Sequence, residues 1–441
     1  MQQRQPNGGK SSERNGEESG GGRYKSGLGV AVVGLGGAVA STAVAGTELM
    51  KAGLAGTEGL PLAEASVRDE GGEARPLKGT EEMALYEDLV FGGWDLSGDD
   101  LATAAERAGV LDYRQLEAIR ERLGGVTPWP AAFDSEFCRN AAGSNVVAAD
   151  GHRAKVEAIR ADLRDFKERN GLDSVVLVNL ASTERVADIS APVLSTIDAF
   201  ESGLDADAPE IGPAMLYAYA AISEGAPYVN FTPSVAADVP AIKRLSELRN
   251  VPVSGKDGKT GQTMLKTVLA PALRSRALHV EGWYSTNMLG NGDGHILDDP
   301  DSLASKNATK GSVLDHMLGY EVENHIVSIH YYPPRGDNKE AWDNVDVSGF
   351  LGKQMQLKVN FLCGDSVLAA PLVIELARLS DLARRRGSGG VQEQFGHFFK
   401  APMTVRDGDS PDHDFYRQEQ RLFDWISNGA ASAGRVDSAS A

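Results

Sequence analysis

Cysteine is scarce: Cys138 and Cys363 are the only two in 441 residues, too few for a disulfide framework. Long hydrophobic runs are missing as well. The most apolar stretch, "GLGVAVVGLGGAVASTAVAG", is broken by glycine and small residues and reads as strand, turn and helix rather than a membrane span. The opening "MQQRQPNGGKSSERNGEESGGG" has no apolar core of the kind a secretory signal needs. Positive charge is in deficit, with 44 Lys and Arg against 62 Asp and Glu and a formal net charge of −18. This excludes a general affinity for nucleic acid or anionic membrane, so any anion site must be a local gathering of lysines. The eight histidines show no metal-ligand spacing. His325 and His330 read as sheet residues, and no metal is expected. A reduced, cytoplasmic location is the simplest fit. A P-loop is excluded too: "KDGKTGQTMLK" (256–266) has Val253 where that motif needs its first glycine, six residues before Lys259.

What is present is a chain long enough for two domains, with 41% hydrophobic residues to build cores. Residues 1–25 read as a disordered tail. "GVAVVGLGG" reads as a buried strand entering a glycine turn, followed by a small-residue helix over about 38–52, and residues 53–80 read as loop. A second strand and turn falls at 85–98, then a helix in "DDLATAAERAGVL". "KVEAIRADLRDFKERNG" is an amphipathic helix closed by Gly171, and "DSVVLVNLAST" is another buried strand. Strands alternating with helices predict an α/β fold with a doubly wound parallel sheet over 26–250, whose ligands bind at the strands' carboxyl ends. Three such ends, "GLGGAVA", "GGWDLSG" and "NLASTE", can converge on one dinucleotide. From 251 to 398 the texture changes to strands with polar loops, an α+β second domain. A C-terminal amphipathic segment, about 399–430, docks back on the first domain, and 431–441 reads as a frayed end.

The glycine turn Gly34-x-Gly36-Gly37 departs from the dinucleotide fingerprint, which has glycine where this chain has Val39; alone it reads equally as a tight turn without a ligand. "KDGKTG" runs into a helix whose start offers hydroxyls and N–H groups, a place for a phosphate, with Lys259 and Lys266 seven apart on one face. Lys306, Lys310 and Lys400 lie in "SKNATKGS" and "FFKAP". Lys400, beside two phenylalanines, should be partly desolvated and suited to proton transfer. "RRR" at 384–386 reads as a solvated face.

Taken in order, these motifs resemble the myo-inositol phosphate synthase family over about residues 29–404. "GLGGAVAST", "FGGWDLSGDD", "VNLASTE", "AISEGAPYVNFTPS", "KDGKTGQTMLKTVLAP", "STNMLGNGDG", "SKNATKGSVLDHML", "PPRGDNKEAWD", "CGDSVLAAPLVIEL" and "FKAP" stand where the family has its corresponding stretches. The resemblance implies a Rossmann domain, completed by the C-terminal segment, with an inserted catalytic and assembly domain, in a homotetramer. It implies an NAD-dependent isomerising cyclisation of glucose 6-phosphate: oxidation at C5, enolisation, aldol closure onto C1 and re-reduction. NAD would touch Gly34, Gly36, Gly37, Asp95, Ala181, Ser182 and Thr183. The substrate phosphate would sit on Thr260, Gly261, Gln262 and Thr263, with Lys266 retained beside them. The catalytic set would be Lys259, Lys306, Lys310, Lys400 and Asp293, with Lys259 and Lys400 handling protons and charge at the C5 oxygen and Lys306 and Lys310 steadying the C1 oxygen and phosphate. The chain departs from the family at Ala38 and Val39, where asparagines are usual, at Met264, a lysine there, and at Asn324, often aspartate. Two other readings stay open: an NAD enzyme acting on a different sugar phosphate, and a non-catalytic dinucleotide-binding protein.

Overall fold

The computed structural model describes residues 27–68, 74–77, 83–139, 141–290 and 311–428. Among the described residues thirteen strands are formed, in chain order: β1 (Leu28–Val33), β2 (Ser66–Arg68), β3 (Ala74–Pro76), β4 (Leu89–Asp95), β5 (Trp129–Pro130), β6 (Ser174–Asn179), β7 (Tyr228–Asn230), β8 (Pro252–Gly255), β9 (His279–Leu289), β10 (Asn324–Tyr331), β11 (Asn338–Ser348), β12 (Gln354–Gly364) and β13 (Gly390–Val391). Seven of them make one sheet in the order β13-β8-β7-β6-β1-β4-β5, with every pairing parallel. β1 is fully buried on both faces, which is why its sequence is an unbroken apolar run rather than an alternating one.

Helices cover both faces. The helix Ala38–Lys51 and the long helix Asp365–Arg385 pack on one, where Val30, Val32, Val44, Val373 and Leu376 form a continuous core. Helices His152–Arg169, Pro213–Ser223 and Pro240–Arg249 pack on the other, around Val33, Leu177 and Tyr217. The chain leaves β1 for β4 on one side and returns to β6 on the other. The carboxyl end of β1 is therefore a topological switch point, the place where open α/β sheets bind ligands.

The second sheet has the order β10-β9-β11-β12, with β10 parallel to β9 and the other pairs antiparallel. Its inner face packs on the helices Gln262–Ser275 and Gly311–Leu318 through Ala270, Trp283, Leu314 and Val345. The α/β class with a doubly wound parallel sheet and a second α+β layer is as the strand–helix alternation implied. β8, the helix Asp365–Arg385 and β13, all within 251–398, belong to the large sheet. The C-terminal helix Phe415–Asn428 adds Leu422, Trp425 and Ile426 to the core of that sheet.

Three local expectations need correction. Residues 53–80 include the small hairpin β2–β3 besides loop. The arginines 384–386 do not form a solvated face: Arg384 donates to Gly225 O, Arg385 pairs with Asp381 at 2.9 Å, and Arg386 donates to the carbonyls of Trp425 and Ile426, tying down the C-terminal helix. The helix after "KDGKTG" begins at Gln262, so Lys259 precedes it and does not share a helical face with Lys266.

Candidate active site

At the end of β1 the chain turns so tightly that the Gly34 and Leu35 N–H groups both donate to Trp94 O on β4, at 2.8 and 3.0 Å. Gly34 adopts φ +85°, and a Cβ there would lie 2.9 Å from Leu180 O, so this position requires glycine. The Gly36 N–H donates to the Asp95 carboxylate at 2.8 Å, and the Ser97 N–H to its other oxygen at 2.9 Å. Gly37 caps the helix Ala38–Lys51 without a side chain, which leaves the first N–H groups of that helix available to an anion.

A cavity of about 520 Å³ opens here, lined by Gly34, Gly36, Gly37, Asp95, Ala181 and Ser182 among others. It is a fit for a dinucleotide: a side-chain-free approach to a helix N-terminus for the pyrophosphate, and a carboxylate at the neighbouring strand end for a ribose. A second cavity of about 290 Å³ shares Gly34, Gly37, Ala181 and Ser182 with it and adds Thr183. The residues named from sequence for NAD thus lie along one trough.

The far half of the trough is polar. Residues 256–259 run antiparallel to 398–401, through Lys256 N–H to Ala401 O at 2.9 Å, Lys400 N–H to Asp257 O at 2.7 Å and Lys259 N–H to Phe398 O at 2.8 Å. That pairing puts the Lys400 Nζ 2.7 Å from the Asp257 carboxylate, both groups buried and both lining the second cavity. Opposite them Lys339 Nζ stands 3.4 Å from both Asp365 oxygens, and Thr260 Oγ1 donates to Asp365 at 3.3 Å. Ala38 and Val39, the positions that depart from the family's asparagines, form part of the wall.

Not every expected residue faces this cavity. Lys259 lines neither one; its Nζ donates to Gln418 Oε1 at 2.6 Å and lies over the Phe415 ring at 5.3 Å, on the C-terminal helix. Burial pushes its pKa down to about 7, opposed by Asp412. Lys266 points into the layer between its helix and the second sheet, with Nζ 2.8 Å from His325 Nε2. Burial lowers it to about 8, against the pull of Asp343. His325 is in turn pushed down to about 4 by burial and by Lys266, so it is neutral and accepts from the ammonium. Gln262 and Thr263 begin the helix Gln262–Ser275, capped by Gly261, which supplies no side chain to the first N–H groups. Asp293, Lys306 and Lys310 lie outside the described residues. His325 and His330 are both strand residues of β10. Among the described residues no group of three or more His, Cys, Asp or Glu is placed to hold a metal ion, and no helix is long and apolar enough to cross a membrane.

Asp257, Lys339 and Asp365 were not singled out from sequence. Each lies inside a motif that carried the resemblance, "KDGKTG", "GDNKEAWD" and "CGDSVL", and the charged residues of those motifs were the available signal.

The family model described as myo-inositol-1-phosphate synthase, an NAD-binding family, matches residues 28–427. The chain is 43% identical over 398 residues to inositol-3-phosphate synthase 1 of Bacteroides thetaiotaomicron, covering 89% of this chain and 92% of that one. It is 34% identical to inositol-3-phosphate synthase isozyme 1 of Arabidopsis thaliana, over 86% of this chain and 78% of the plant protein. Its fold superposes on the crystal structure of inositol-3-phosphate synthase from Caenorhabditis elegans with a TM-score of 0.86 at 30% identity, covering 92% of this chain and 86% of the other.

Proposed function

The chain belongs to the myo-inositol-1-phosphate synthase family, and from that premise we propose that it converts D-glucose 6-phosphate to 1D-myo-inositol 3-phosphate with NAD as a recycled cofactor. The observation that carries this reading is the single trough in which a glycine-built dinucleotide cradle opens directly into a cavity holding the buried Lys400–Asp257 pair and the half-buried Lys339–Asp365 pair. When bound, NAD supplies reversible hydride transfer at C5 of the sugar.

The chain's own groups do the rest. Gly34, Gly36 and Gly37 admit the cofactor's backbone and Asp95 orients its ribose. Thr260, Thr263 and the N–H groups at the start of the helix Gln262–Ser275 hold the sugar phosphate. Lys400, poised on Asp257, holds and moves a proton at the C5 oxygen, and Lys339 stabilises negative charge as it develops on a neighbouring oxygen. Ammonium groups held in place within a cavity act more strongly on developing charge than the same groups free in water. Lys306 and Lys310 would steady the C1 oxygen and the phosphate, with Asp293 in the same catalytic set, as the family's motifs imply. Lys259 acts from behind, holding the turn that carries Thr260 against Gln418.

Replacing Lys400 with methionine tests this: turnover should fall at least about 100-fold while NAD still binds. Near-normal turnover of K400M would remove Lys400 from the chemistry.

A cytoplasmic homotetramer completes the proposal. It is supported by the outward face of the second sheet, where Tyr284, Ile326, Trp342 and Leu362 are exposed, and by Phe350 at the β11–β12 turn, 88% exposed. A face of this kind suits another copy of the same sheet.

A further inference from the structure

Gln262 is the first residue of the helix that meets the substrate phosphate in the proposed reading, yet its side chain does not face the cavity. Its Nε2 donates to Asp343 Oδ2 at 3.0 Å, and its Oε1 accepts from Asn287 Nδ2. Asp343, on β11, is 2% exposed, and its other oxygen accepts from Trp283 Nε1 at 2.7 Å and Ser285 Oγ at 2.6 Å. Asn287, Ser285 and Trp283 all stand on β9, and all are buried. The amide of Gln262 is therefore gripped at both ends by the second sheet.

That grip has a geometric consequence. An anion at a helix N-terminus is bound by N–H groups that must converge, and their direction depends on how the first turn is held. Gly261, the residue before the helix, has no side chain with which to fix it. The first turn is fixed instead from behind, by a carboxylate on a strand 81 residues away in sequence.

We propose that Asp343 is a positioning residue for phosphate recognition: through Gln262 it fixes the direction of the helix N–H groups, without touching the substrate. The proposal rests on the functional reading above and names the support of its phosphate subsite. The hydrogen bond from Gln262 ends on a carboxyl group whose other oxygen is held by Trp283 and Ser285, so the acceptor is itself fixed in place. Ser285 serves as an internal control, since its hydroxyl meets the same carboxylate but does not touch Gln262.

The test is a set of full-length holoenzyme variants assayed for kcat and KM with glucose 6-phosphate, for NAD affinity by titration and for thermal stability. D343N should raise KM about tenfold, equivalent to about 1.4 kcal/mol of binding, with kcat within about twofold and NAD affinity unchanged. Because Asp343 acts through Gln262, D343N added to Q262M should raise KM by less than about twofold more. S285A should lower stability without moving KM. If D343N fails to fold, N287L releases the other end of the same amide and should show the same KM rise. An unchanged KM in a folded D343N, full multiplication of the two effects, or an S285A that raises KM equally overturns the proposal. Absence of any turnover in the unmodified protein would instead overturn the functional reading on which it rests.

Discussion

Gly34 shows most plainly how one residue can decide a function. Its φ of +85° and the 2.9 Å approach to Leu180 O leave no room for a side chain. Gly34→Ala should cost about 1–2 kcal/mol of backbone strain and displace the strand end that lines both cavities. NAD titration should show at least about a tenfold weaker affinity, and wild-type affinity would mean that the cradle is not where the dinucleotide lies. This residue was legible from sequence because strand, turn and helix are local and their signals adjacent. Asp257, Lys339, Asp365 and Asp343 were not. Asp257, Asp365 and Asp343 meet Lys400, Thr260 and Gln262 across 143, 105 and 81 residues, Lys339 meets Asp365 across 26, and no spacing rule spans a fold. Lys400 was singled out by its two phenylalanines, and both are buried beside it.

At the scale of elements, the C-terminal helix Phe415–Asn428 is bound to the turn at 256–260 through Lys259 and Gln418. Burial holds the folded-state pKa of Lys259 near 7, well below the ordinary lysine value of 10.5. Between these two values the unfolded chain binds a proton that the folded chain does not, so stability gains from this group as pH rises from about 7 to 10. Below about 7 both states carry the charge, and its burial is a full penalty. K259M lacks this titration. Urea unfolding should show the stability of the wild type rising relative to K259M between pH 7 and pH 10, and parallel curves would contradict a buried, titrating Lys259. K259M should also keep more turnover than K400M. Sequence periodicity marked β1, β4, β6 and the helix at 152–169, whose burial patterns are regular. It set no bounds for β11, where charged and apolar residues alternate, although Ala341, Asp343, Val345 and Val347 are all buried. It also started the helix Gln262–Ser275 too early, since the turn at 256–259 pairs with 398–401 rather than coiling.

For the whole molecule, the net charge of −18 and the local lysine cavity act together. The net negative charge disfavours anions over the bulk of the surface, while Lys400, buried against Asp257, and Lys339, half-buried against Asp365, put positive charge inside the trough. The doubly wound sheet was legible because alternation of element types constrains topology strongly. How the second sheet holds the start of the helix Gln262–Ser275 depends on side chains meeting across two layers, and no pattern along the chain announces it. The exposed Tyr284–Trp342 pair, with ring centroids 5.9 Å apart, belongs to this scale. W342E should shift the proposed tetramer toward smaller species in light scattering, and a tetramer unaffected by that charge would place the interface elsewhere.

The proposed reaction is a redox cycle that closes within one site. Its most direct test incubates the purified protein with glucose 6-phosphate and catalytic NAD, following the sugar by NMR and NADH by absorbance. The predicted result is an inositol phosphate accumulating over many turnovers with no net NADH. Glucose 6-phosphate unchanged in the presence of bound NAD, or consumed with stoichiometric NADH, would contradict it.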